Sequence, residues 1–150
     1  MRALVQRVSE GSVRIENPEH FEEIKKGMVI LVGIKEGDSE EDLNFTADKC
    51  SNLRIFEDEN QKMNLSVKDM NGEVLIISQF TLYGDARKGN RPSFTDAARP
   101  ETAELLYHKF IERMKSNLGN HKVKSGIFGA MMMVKIMNDG PVTILVESKE

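Results

Sequence analysis

The C-terminal third of the chain decides the fold class: Lys122-Val-Lys-Ser125, Ala130-Met-Met-Met-Val-Lys-Ile-Met137, Asn138-Asp-Gly-Pro141 and Val142-Thr-Ile-Leu-Val-Glu147. These segments predict three strands in succession, with Asn138–Pro141 as the turn between the last two and no helical stretch among them. Working back from there, Pro100 opens a helix. Its apolar stripe is Ala103, Leu106, Tyr107, Phe110, Met114 and Leu118, and Gly119 stops it. Glu73 to Gln79 is a strand run after an Asn71-Gly72 turn, and Leu53 to Phe56 a shorter one before the turn Asp58-Glu59-Asn60. A second helix starts at Ser39, an N-cap with Asp42 three residues on, and carries Leu43, Ala47 and Cys50 at helical spacing. Met28 to Ile34 is a buried strand. Asn17 to Lys26 is polar, a loop or irregular hairpin. Arg2 to Val8 and Ser12 to Ile15 are strands on either side of a turn at Glu10-Gly11. About seven strands and two main helices that do not alternate one for one predict an α+β fold with largely antiparallel sheet, not a doubly wound nucleotide fold. No Pro/Gly/Ser-rich linker divides the chain, so residues 1–150 are expected to form a single domain.

Composition narrows the chemistry. The 24 acidic and 21 basic side chains give a formal charge of −3, against a strongly basic nucleic-acid coat but not against a local basic patch. One cysteine allows no internal disulfide and no multi-Cys zinc site, which fits a reducing, cytoplasmic compartment. Neither a membrane span nor a signal peptide is legible: the longest apolar run, Met28 to Ile34, falls far short of about 20 residues. The three histidines, His20, His108 and His121, have no metal-pair spacing, so no metal or cofactor is expected. Cys50 lies on its helix's apolar face and reads as core. Histidine- or cysteine-centred catalysis has little material here.

Three segments bear a functional reading. Ser78-Gln-Phe-Thr-Leu82 ends a buried strand, where a rigid element meets an accessible end. Thr81 offers a hydroxyl, and Gln79 a donor and an acceptor. Pattern alone favours a strand fraying into a loop, and a hydroxyl nucleophile needs a base that no nearby histidine supplies. In Asn138-Asp-Gly-Pro-Val-Thr143, glycine permits unusual backbone angles, yet spacing alone favours a plain hairpin turn. Residues 84–99 carry Arg87, Lys88, Arg91 and Arg99 against Asp85 and Asp96, a local +2 (four minus two) in an acidic chain. Such a loop can hold phosphates or simply be solvated. It is no P-loop, because Asn90 follows the second glycine.

In their order these pieces, together with Met1-Arg-Ala-Leu-Val-Gln-Arg-Val8, Asn52-Leu-Arg-Ile-Phe-Glu-Asp58, Lys62-Met-Asn-Leu-Ser66, Arg87-Lys-Gly-Asn-Arg-Pro-Ser-Phe-Thr-Asp-Ala97 and Phe128-Gly-Ala130, resemble the D-aminoacyl-tRNA deacylase family over nearly the whole chain. The resemblance implies a homodimer of α+β subunits, with sheets curled into a barrel-like core. It implies hydrolysis of the ester between a D-amino acid, or glycine, and the tRNA 3′ end, without a cofactor. In the family a Gly-cisPro pair crosses into the partner's pocket and excludes L side chains, which maps onto Gly140 and Pro141. The pocket maps onto Ser78, Gln79, Phe80 and Thr81, lined by Ala103, Phe128 and Met132. Met131 departs from the aspartate that commonly follows Phe-Gly-Ala. Arg87, Lys88 and Arg91 would hold the tRNA backbone. Catalysis would rest on backbone N–H groups near Gln79 to Thr81 and on the terminal 2′-hydroxyl of the tRNA, with Thr81 as nucleophile the competing account. A non-enzymatic binding module and a general D-amino acid esterase are the alternatives.

Overall fold

The computed structural model describes residues 1–148. One strand organises it. β1 (Arg2–Ile15) runs unbroken for 14 residues, and β8 (Met133–Glu147) runs antiparallel along one edge of it. Along the other edge β1 pairs antiparallel first with β3 (Gly27–Gly33) and then with β2 (His20–Ile24). Beyond β3 come β6 (Glu73–Ser78) and β7 (Val123–Ser125), both in parallel pairings. The sheet is therefore mixed, with the antiparallel pairings concentrated on β1. It curls until β2 nears β7, where a His20 ring nitrogen meets the Ser125 carbonyl at 2.9 Å, and so nearly closes into a barrel. A small hairpin, β4 (Phe56–Glu57) and β5 (Met63–Leu65), stands apart.

The two helices pack on the sheet's outer face. α1 (Glu40–Asn52) begins where Ser39's backbone N–H donates to Asp42 Oδ2 at 2.8 Å, the predicted capping pair. α2 (Pro100–Leu118) buries Ala103, Leu106, Tyr107, Phe110 and Met114 from its predicted stripe. Fully burying each of the large ones contributes about 2–3 kcal/mol. These side chains meet Ala3, Val5, Met28, Ile30, Val32, Val74 and Ile76 in one core. The opposite faces of the same strands, Val29, Leu75 and Ile77, fill the barrel with Val8, Val13 and Ile15. β3 and β6 are buried on both sides, which is why their sequences read as unbroken apolar runs.

Two expected turns are absent. No turn interrupts β1 at Glu10-Gly11. The ladder with β8 shifts register there instead, between Gln6 and Val8 and again between Val8 and Glu10. Gly11 serves close approach: a Cβ on it would lie 2.8 Å from Val29 Cγ2. Likewise Asn138–Pro141 is no hairpin turn. The chain on both sides of it pairs with the same strand in the same direction, Val8 with Asn138 and Gln6 with Thr143. Five steps along β8 thus oppose two along β1, and the surplus residues stand out from the ladder as a bulge. The polar stretch Asn17–Lys26 takes its hairpin form as β2, and the strand expected at Leu53–Phe56 shrinks to Phe56–Glu57.

Candidate active site

At the top of β6 the chain leaves the sheet. Ser78 is its last strand residue, beside Val32, and the Gln79 N–H donates to the Val32 carbonyl at 2.8 Å. Phe80 to Tyr83 then form a single 3₁₀ turn. The first N–H groups of such a turn have no partner inside it. Those of Phe80 and Thr81 make no hydrogen bond to any other described residue, whereas that of Gln79 is spent on β3. Gln79 Nε2 donates to Thr81 Oγ1. Phe80 is exposed and meets Phe94 edge-to-face at 5.1 Å, so the loop beyond is folded back over the turn. Gly84 makes room for this, since a Cβ there would lie 2.9 Å from the Phe94 ring.

The expected lining residues belong to two cores. Tyr107 of α2, fully buried, extends its hydroxyl to the carbonyls of Ile76 and Gly126 at 3.1 Å each and so ties α2 to β6 and to the segment after β7. Burial pushes its phenol up, so it stays a neutral structural group. Phe128 packs on the Tyr107 ring at 5.8 Å, in the helix-side core that also holds Ala103. Met132 belongs to the barrel core, and its sulfur and the Ile77 side chain both crowd the space a Cβ on Gly126 would fill. Met131, on the other face of that segment, is almost wholly exposed.

Gly140 and Pro141 are elsewhere. Both are exposed, and the bond between them is cis. Ser78 aligns through Val32 with Ala3 and Val146, whereas the bulge faces Arg7. Ordinary sheet spacings put the two segments about 14 Å apart along the strands and about 14 Å across them. Within one chain they do not form one pocket.

Arg7 was not among the residues singled out in the sequence. It is only 7% exposed, and it donates from Nε to the Asp139 carbonyl at 3.1 Å and from Nη1 to the Ile55 carbonyl at 2.8 Å. A signal existed: Ala3, Val5 and Arg7 alternate on one face of β1, so the cation occupies a core position. The basic loop is also more ordered than its composition suggests. Asp85 and Ser93 exchange backbone hydrogen bonds at 2.7 and 2.9 Å, which closes its base. Arg87 forks onto Asp85 at 2.9 and 2.7 Å, and this holds the Asp85 carboxyl down at about 2. Lys88 and Arg91 at the exposed tip have no partner among the described residues.

Residues 4–147 match the family model described as D-Tyr-tRNA(Tyr) deacylase. The chain belongs to the D-Tyr-tRNA(Tyr) deacylase family. It is 55% identical over 150 residues to a D-aminoacyl-tRNA deacylase of Thermotoga petrophila, covering 100% of this chain and 99% of the relative. A D-aminoacyl-tRNA deacylase of Clostridium novyi matches at the same identity and coverage. Among solved structures, one titled c-Myc DNA Unwinding Element Binding Protein superposes with a TM-score of 0.93 at 41% identity, covering 100% of both chains. A probable eukaryotic D-amino acid tRNA deacylase superposes at 0.83 with 18% identity, covering 97% of this chain and 98% of that one, a likeness of fold. Family membership agrees with the mixed, nearly closed sheet and its two helices. Among the described residues no helix is long and apolar enough to cross a membrane.

Proposed function

We propose that this protein hydrolyses the ester of D-aminoacyl-tRNA, and of glycyl-tRNA, in the cytoplasm, releasing the amino acid and free tRNA. Full-length relatives named D-aminoacyl-tRNA deacylases support the activity. The working unit is a homodimer in which Gly140-Pro141 of each subunit enters the pocket at Ser78 to Thr81 of the other. The observation that carries the dimer is the separation of these segments: the two signature segments lie in different parts of one chain, and the bulge stands out exposed from a strand whose outer edge has no partner among the described residues. Glycine and proline there present backbone carbonyls with little side chain around them. Such a wall accepts a hydrogen on the substrate's α-carbon and collides with an L side chain.

The chemistry asks little of side chains. An aminoacyl ester is activated, and the free N–H groups of Phe80 and Thr81 suit a developing oxyanion. The terminal 2′-hydroxyl of the tRNA organises the attacking water. Thr81 is poorly equipped as a nucleophile, because its oxygen is partnered by an amide, which in either orientation is no base.

The test is incubation with matched D- and L-aminoacyl-tRNAs, glycyl-tRNA and a free D-amino acid ester. Release from D-aminoacyl- and glycyl-tRNA alone is expected. Equal turnover of the free ester would make the protein a general esterase, and no release at all would make it a binding module.

A further inference from the structure

Between the end of β3 and the loop after the 3₁₀ turn lies a cleft of about 430 Å³ whose walls include Arg2, Lys35, Tyr83, Asp85, Arg87 and Asp96. Its far wall is fixed to its near one: the Glu36 N–H donates to the Asp96 carbonyl at 3.0 Å, and the Ala98 N–H to the Ile34 carbonyl at 2.9 Å. The charges inside are not equally available. Arg87 is forked onto Asp85. Arg2 lies 4.6 Å over the Tyr83 ring and donates to the Leu82 carbonyl at 2.8 Å and to Glu147 at 3.2 Å. By contrast, the Lys35 ammonium and the Asp96 carboxylate make no hydrogen bond or salt bridge to any described residue, even though their backbones are adjacent. An open cleft thus offers a cation and a carboxylate that form no ion pair with each other, the Asp96 charge acting on the Arg87 guanidinium only through space. That pair matches a sugar–phosphate unit, the ammonium for the phosphate and the carboxylate for a ribose hydroxyl. The cleft also adjoins the pocket. Tyr83 on its wall closes the 3₁₀ turn that carries Thr81, two residues and roughly 4 Å of rise away.

We propose that this cleft holds one ribose–phosphate unit of the single-stranded end of the RNA substrate, upstream of the ester, with Lys35 on the phosphate and Asp96 on a 2′-hydroxyl. The identity of the strand rests on the deacylase reading above. The test does not. Affinity for uncharged tRNA is measured across a salt series for the wild-type protein, Lys35→Glu, Lys35→Arg and Lys62→Glu, the last an equal charge change at an exposed site on the β4–β5 hairpin. Lys35→Glu is expected to weaken binding about tenfold and to lower the slope of log K against log salt by about one phosphate contact. Lys35→Arg should keep the wild-type slope, and Lys62→Glu should stay close to wild type. Asp96→Asn is compared on an acceptor-stem hairpin with a ribose or a deoxyribose overhang, and should lose most of the preference for ribose. Wild-type affinity and slope in Lys35→Glu, or an equal loss in Lys62→Glu, overturns the phosphate contact. An unaltered ribose preference in Asp96→Asn overturns the sugar contact. Uncharged tRNA carries no ester, so failure of the wild-type protein to release any D-amino acid would remove the deacylase reading and leave this result standing by itself.

Discussion

The Nε of Arg7 donates to the carbonyl of Asp139 at 3.1 Å, one residue before Gly140. The same guanidinium reaches Ile55 on the far side, so a buried fork joins β1, the start of the small hairpin and the base of the β8 bulge. Gly140 is fitted to it. Its φ is +122°, a region that L side chains rarely adopt, and a Cβ there would lie 3.0 Å from Arg7 Nη2.

Arg7→Met should therefore leave two carbonyls without their donor and release the bulge. The expected cost is about 1–3 kcal/mol in thermal or denaturant unfolding. Turnover of D-aminoacyl-tRNA should fall by a larger factor than stability alone explains. Arg7→Lys should not rescue it, because one ammonium cannot span two divergent acceptors as the planar fork does. Parallel unfolding and single-turnover measurements check this, and a variant with wild-type turnover would show that Arg7 is merely structural.

Much of the fold was legible in the residues. Double-sided apolar runs gave β3 and β6, and the stripe from Ala103 to Met114 gave α2. What misled was punctuation. Glu10-Gly11 and Asn138-Asp-Gly-Pro141 carry turn residues, but local propensity cannot tell a chain reversal from a bulge in a strand that continues. Long-range pairing decides that, and β1 pairing with β8 on both sides of each irregularity settles it. For the candidate site the sequence offers motifs and no geometry. Ser78 to Thr81 stand together, but nothing local reveals that the Gln79 N–H is spent on Val32, that Arg87 is tied to Asp85, or that Lys35 and Asp96 are brought beside the turn from two separate stretches.

Thr81→Ala should retain substantial activity, within about tenfold of wild type in kcat. It deletes the hydroxyl that Gln79 meets and keeps the backbone N–H at the head of the turn. A loss of more than about a thousandfold with substrate binding intact would assign Thr81 nucleophilic or oxyanion work.

The basic loop should divide into two kinds of cation. Lys88→Ala with Arg91→Ala should lower the salt slope of tRNA binding by about two contacts, because both side chains are free. Arg87→Ala should act mainly on loop order. Its partner Asp85 titrates at about 2, below the ordinary 3.8, chiefly through the Arg87 side-chain hydrogen bonds and then the Arg87 N–H. A depressed carboxylate contributes fully above its ordinary value, and that contribution is lost as pH falls through about 2. An NMR titration of the Asp85 carboxyl should therefore show the pair intact at pH 4 and broken only near pH 2, with the midpoint returning towards 3.8 in Arg87→Ala.

The exposed apolar side chains of β8 supply the remaining test. Met133 and Met137, beside the barrel-facing Val134 and Ile136, and Leu145, beside the helix-facing Val146, are exposed on the two faces of this strand, Leu145 at 49%, and among the described residues β8 pairs with β1 alone. Scattered apolar residues need no partner, but several along a strand edge that pairs with no described residue suit a second subunit. Sedimentation velocity should show a dimer for the wild-type chain. Leu145→Glu places a charge where a partner would have to bury it, at a cost of several kcal/mol to the interface. It should cost the isolated fold little, since the side chain already faces solvent. The variant is expected to sediment as a monomer with near-native unfolding and to lose D-aminoacyl-tRNA turnover by at least about a hundredfold, because each pocket then lacks the other chain's Gly140-Pro141. A monomeric variant that deacylates at the wild-type rate would mean that one chain completes its own site, and the cross-subunit arrangement would have to be abandoned.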